Sequence, residues 1–144
     1  MKISTKTQYG VRAMLEIARH TDREPISIHD ISRQQALSVS YLEQLLNKLR
    51  KAGLVKSVRG PKGGYLLSRQ PKKIKISEIV TVLEGDIGPV FCVAGGKKAN
   101  FCDRLNKCAS KALWKKMRDA MMGVLESTTL GDLCEGATDK NIPA

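Results

Sequence analysis

Aromatic side chains are scarce in this sequence: one Trp, three Tyr and two Phe among 144 residues. A core built from such a chain is mostly aliphatic, which suits short helices packed on one another. Long apolar runs are missing too. No stretch approaches the ~18 consecutive apolar residues that a spanning helix needs. The opening MKISTKTQYG carries no apolar segment of the kind that begins a secretory leader. The expected compartment is therefore the cytoplasm, with no membrane partner. Histidine is limited to His20 and His29, and no His/Cys or carboxylate constellation with catalytic logic stands out, which argues against an enzyme. The four cysteines include no close pair such as the C-x2-C of structural zinc sites. In a reducing compartment they point to metal or redox chemistry before disulfides.

Positive charge, by contrast, is abundant, with a formal net charge of +11. Its distribution is uneven. Residues 1–80 hold 16 Lys and Arg against 6 Asp and Glu, whereas residues 81–144 hold 9 against 8. Such an asymmetry describes a polyanion-binding part joined to a near-neutral one. A lipid surface is the weaker polyanion here, because the basic residues gather on a helix and a hairpin and do not form one lipid-facing stripe.

Val11, Met14, Leu15 and Ala18 recur at helical spacing and predict a first helix over residues 6–20. Ser27, with Asp30 three residues on, has the pattern of a helix start and opens a short second helix over 29–35. A turn, Ala36-Leu37-Ser38, leads to a third helix over 39–52. There Leu42, Leu45, Leu46 and Leu49 form an apolar stripe and Gly53 follows the end. The period then changes. Residues 54–58 and 65–68 read as two strands around the turn-rich Arg59-Gly60-Pro61-Lys62-Gly63-Gly64, a β-hairpin with a basic tip. Three helices followed by such a hairpin is the order of a winged helix-turn-helix. The fold class expected is mainly α with a small β-hairpin: a DNA-binding domain over residues 1–75, then a short helix and a cysteine-bearing loop over 76–108. A long helix and last turn over 109–135 and a flexible tail over 136–144 follow. On the long helix Leu113, Met117, Ala120, Met121 and Val124 share one side.

In a helix-turn-helix the second helix of the motif enters the major groove of double-stranded DNA and reads base edges. The leucine stripe of the third helix faces inward and leaves Ser40, Glu43, Gln44, Asn47 and Lys48 outward. Ser, Gln and Asn hydrogen-bond base edges, and Glu accepts from cytosine N4. Lys48 and Arg50, with Lys51, suit phosphates, as does Lys62 in the wing. Arg59 at the wing tip suits a narrow minor groove. Gly63, with Gly60 and Gly64, lets the backbone approach the duplex. A second reading of Ser40 and Glu43 stands beside the first: Ser-x-x-Glu is also a capping box, which would turn Glu43 to the backbone.

Cys92, Cys102 and Cys108 follow the pattern C-x9-C-x5-C in a glycine- and lysine-bearing segment. Three thiolates select soft metals and can hold an iron–sulfur cluster. Lys97, Lys98, Arg104 and Lys107 nearby favour the thiolate form. Unmodified structural thiols are the alternative, and Cys134, beyond the long helix, reads as a spectator.

The runs Tyr41-Leu42-Glu43-Gln44-Leu45, Gly53-Leu54-Val55, Ser57-Val58-Arg59-Gly60-Pro61 and Gly63-Gly64-Tyr65-Leu66-Leu67 strongly resemble the IscR-type iron–sulfur cluster transcription regulators. Ala112-Leu113-Trp114 and Thr129-Leu130-Gly131-Asp132-Leu133 extend the match to nearly the whole chain. The resemblance implies a bacterial homodimer, with the long helix crossing its partner's copy, on palindromic DNA. It implies DNA contacts by the matching Ser40, Glu43, Gln44 and Arg59, beside which Tyr41 is also expected at DNA, and cluster ligation by Cys92, Cys102 and Cys108. The cluster implied is 2Fe–2S ahead of 4Fe–4S; the latter would suit a nitric-oxide or iron sensor. One position departs from the pattern. Lys111 stands where the IscR type supplies a histidine ligand, and Gln8 stands where some relatives supply a carboxylate. Cys134, Gln8, Asp103 or an exogenous thiol or water is left as fourth ligand. Two other functions compete with a cluster-sensing repressor: a cluster-free regulator that senses a metabolite or partner protein, and an iron–sulfur carrier.

Overall fold

The computed structural model describes residues 2–20, 24–90, 92–93 and 107–136. The elements run α1 (Thr5–Arg19), α2 (Ile28–Gln35), α3 (Val39–Lys51), β1 (Val55–Val58), β2 (Gly64–Leu67), a 3-10 turn over Pro71–Lys73, α4 (Ile76–Glu84), α5 (Ser110–Ser127) and α6 (Leu130–Gly136). Serine hydroxyls start the first three helices. Ser4 Oγ accepts from Thr7 N at 3.3 Å, Ser27 Oγ from Asp30 N at 3.1 Å, and Ser38 Oγ from Tyr41 N at 3.2 Å. Each satisfies a backbone donor that the helix itself leaves without an acceptor. Between α2 and α3 the chain reverses through Ala36, whose φ of 53° is left-handed. Leu37 N then donates to Ser32 O at 3.1 Å and closes the turn.

The core is aliphatic, as the scarcity of rings requires. Met14, Ile31, Leu42, Leu45, Leu46, Leu49, Ile74, Ile79 and Leu130 are fully buried in one cluster that joins α1, α2 and α3 to α4 and α6. Burying such a side chain contributes about 1.5–3 kcal/mol, so the stripe on α3 alone fixes which face that helix turns outward. The hairpin is antiparallel, with Val55 opposite Leu67 and Val58 opposite Gly64. A single bridge extends it: Tyr65 N donates to Ile26 O at 2.8 Å and Ile26 N to Tyr65 O at 3.1 Å, joining the wing to the segment before α2. A second bridge, between Lys75 and Thr129, sets the start of α4 beside the start of α6. Thr129 and Asp132 then cap α6 reciprocally, at 2.9 and 3.1 Å.

Two polar links hold α4 and α5 in place. Glu84 Oε2 accepts from Ser4 N at 3.1 Å, from Ser4 Oγ at 2.6 Å and from Thr7 Oγ1, so the last turn of α4 grips the first turn of α1. Asp86 accepts from Arg118 Nε and Nη2 at 3.1 and 3.2 Å, tying the segment after α4 to the middle of α5. On α5 the edge carrying Met121, Met122 and Leu125 rests on the core. Its other apolar residues do not: Leu113 is 53% exposed and Val124 64%. No residue of α5 is buried. Among the described residues, no helix is long and apolar enough to cross a membrane.

Candidate nucleic-acid interface and cysteine segment

Because Leu42, Leu45, Leu46 and Leu49 point into the core, the opposite face of α3 is exposed and polar. The wing stands beside that face, and between them lies an open polar groove of about 600 Å³. Ser40, Glu43, Gln44, Asn47 and Arg50 line it from α3, and Ser57, Arg59 and Tyr65 from the wing. Six of the residues expected at DNA therefore meet in one place: Ser40, Glu43, Gln44, Asn47, Arg50 and Arg59. The capping-box reading of Ser40 and Glu43 gives way here. Ser38 is the N-cap of α3, and Ser40 and Glu43 lie within the helix with exposed side chains.

The other expected residues lie around the groove. Lys48 is exposed but outside its lining. Lys62 and Gly63 line a neighbouring recess of about 560 Å³ with His20, Glu24 and Asp30. The tip is tight: Gly63 N donates to Gly60 O at 2.9 Å, and a Cβ on Gly63 would stand 2.2 Å from Val58 O. Tyr41 is half-buried. Its ring meets Tyr9 edge-on, with centroids 6.0 Å apart, and Arg12 lies 5.2 Å from the Tyr9 centroid. Arg12 also donates to Gln35 Oε1 and to Gln35 O, at 2.8 and 2.7 Å. Tyr41 thus belongs to the brace that seats the first turn of α3 on α1 and α2. Ser57 and Tyr65 were missed in the sequence. Strand alternation was the available signal, since Ser57 shares a face with Arg59 and is paired across the hairpin with Tyr65.

Of the three cysteines expected to bind a cluster, Cys92 and Cys108 are half-buried and Cys102 lies outside the described residues, as do Asp103 and the tail beyond Gly136. Cys108 lies two residues before α5, ahead of the N-cap Ala109; its Sγ is 2.9 Å from Ser110 Oγ, and its carbonyl accepts from Lys111 N at 3.2 Å. Cys134 sits in α6 against the core, and burial pushes its thiol pKa up, away from the thiolate a metal needs. Gln8 Nε2 donates to Ile3 O at 2.9 Å. Among the described residues no three His, Cys, Asp or Glu side chains come together as a metal site. The donor chemistry of Cys92, Cys102 and Cys108 nevertheless fits a soft metal centre.

Residues 3–136 match the Rrf2 family, described as an iron-dependent transcriptional regulator. The chain is 40% identical to the HTH-type transcriptional regulator IscR of Escherichia coli over 133 residues, 92% of this chain and 80% of that protein. Among solved structures it is similar to CymR, the global cysteine regulator of B. subtilis, with 43% identity, a TM-score of 0.79 and coverage of 96% of this chain and 99% of that one. It is also similar to T. potens IscR, with 40% identity, a TM-score of 0.78 and coverage of 100% and 93%.

Proposed function

The chain belongs to the Rrf2 family of transcription regulators, and on that footing we propose that it is a homodimeric cytoplasmic repressor that binds palindromic DNA and senses an iron–sulfur cluster. The observation that carries the DNA part is the groove in which Ser40, Glu43, Gln44 and Arg50 of α3 face Arg59 of the wing. Glu43 accepts from a cytosine amino group, Ser40 and Gln44 meet base edges, and Arg50 and Arg59 meet phosphate or the minor groove. Lys48, Lys62 and Gly63 border the same face and add contacts to the backbone. The exposed apolar edge of α5, with Leu113 and Val124, is the seam for a second copy. A two-fold pair would set its recognition helices about 34 Å apart, one DNA turn.

Cys92, Cys102 and Cys108 would hold the cluster, 2Fe–2S ahead of 4Fe–4S. A bound cluster supplies redox and exchange chemistry. The chain itself supplies thiolates and, through the Asp86–Arg118 pair, a fixed point between this segment and α5. A cluster-free regulator is favoured by two observations. By the resemblance, Lys111 stands where the IscR type supplies a histidine, and the chain is 43% identical to a protein described as a cysteine regulator.

Anaerobic purification followed by visible absorbance, iron and acid-labile sulfide assays separates the two. Charge-transfer bands with matched iron and sulfide support the cluster, and Cys92→Ala is then expected to abolish the bands while the oligomeric state is kept. A colourless, iron-free protein that resists reconstitution and still binds a palindrome supports the second reading.

A further inference from the structure

Asn47 lies on the groove wall beyond Ser40, Glu43 and Gln44, and its outward amide was expected only to meet base edges, with no end of it assigned. Arg50 Nη2 donates to Asn47 Oδ1 at 2.8 Å. A guanidinium carries only donors, so the amide atom that faces it is the oxygen. Exchanging the two ends of the amide would set N–H against N–H. The NH2 group of Asn47 is therefore the end left for anything else in the groove. A free asparagine pairs with adenine by donating to N7 and accepting from N6. Here the accepting side is held by a cation, and a base amino group arriving there meets positive charge.

We propose that Asn47 contacts DNA as a donor only, oriented by Arg50, and that it takes an acceptor oxygen. That oxygen belongs to a guanine or thymine carbonyl in the major groove, or to a phosphate on the strand passing between α3 and the wing. The inference rests on the reading of this groove as the DNA interface. It gives the wall a polarity: an acceptor at Glu43 and, about 6 Å further along the helix axis, a donor at Asn47.

The test begins with an operator selected from random duplexes by the wild-type protein. Asn47→Ala, whose side chain is exposed, is expected to keep the helical circular dichroism spectrum and to bind that operator roughly tenfold more weakly. In an Arg50→Ala background a loss on removing Asn47 persists, because the contact is direct, and the released amide is expected to admit adenine as well. With a base as the source, selection by the Asn47→Ala variant loses its preference for guanine or thymine at one position in each half-site. With a phosphate as the source, the loss is uniform across sequences, and one methylphosphonate per half-site reproduces it without adding to it. Binding by Asn47→Ala within twofold of wild type overturns the proposal. So does a loss that vanishes in the Arg50→Ala background, which would make Asn47 a support for Arg50 alone. If the wild-type protein itself selects no operator, the groove's DNA-binding reading fails with the proposal, an outcome visible before any variant is made.

Discussion

Single side chains decide two properties of this molecule. The hydrogen bonds from Ser4 and then Thr7 hold the Glu84 carboxyl below the usual carboxylate range. A folded-state pKa lower than the unfolded one gives stability that is complete above the ordinary glutamate range and is lost as pH falls through the lowered folded value. Glu84→Gln is expected to cost about 1 kcal/mol at neutral pH, and the gap to wild type should narrow in acid. Urea denaturation at neutral and acidic pH checks this; a constant gap would mean that the amide's shape and not the charge is responsible. Arg59 is the second case. It is exposed at the wing tip and lines the groove. Arg59→Ala is expected to cost about 1–3 kcal/mol on the specific site, read by fluorescence anisotropy, with the midpoint of thermal unfolding unchanged.

At the scale of elements, the wing depends on a close approach. A Cβ on Gly64 would stand 2.1 Å from Ile26 O, the acceptor of the bridge from Tyr65. Gly64→Ala therefore pushes the hairpin off the segment before α2. The expected result is weaker DNA binding together with faster exchange of the Tyr65 amide, measured by hydrogen exchange. Most elements were legible in the sequence because their signals are local: the serine caps, the leucines of α3, the turn residues of the hairpin. Where two local signals competed, the sequence left the choice open. Ser40 and Glu43 were open between a capping box and base contact, and the extended backbone at Ser38, φ −66° and ψ 143°, puts the N-cap there instead. The bridges Ile26–Tyr65 and Lys75–Thr129 had no local signal, since each joins residues far apart in the chain. The groove was half legible. The α3 wall follows from helical spacing, but Ser57 and Tyr65 join it only through the hairpin register. The cysteine segment was legible as chemistry and not as geometry.

For the whole molecule, one core links the helix that faces the groove to α4 and α6, and α5 lies against it along one edge. The uncovered edge, with Leu113 and Val124 exposed, is the proposed seam for a second copy. Leu113→Asp combined with Val124→Asp is expected to yield a folded monomer by sedimentation, with operator affinity reduced at least a hundredfold through loss of the paired half-site. A dimer that survives both changes would place the seam elsewhere. The scarcity of rings has an optical consequence as well. The only tryptophan, Trp114, is half-buried on α5, so the indole emission of the whole protein is a one-site signal. It reports on α5 and is insensitive to events at the wing unless they move that helix. Excited near 295 nm, an unlabelled sample therefore carries its own probe of whether binding at the groove is felt at α5.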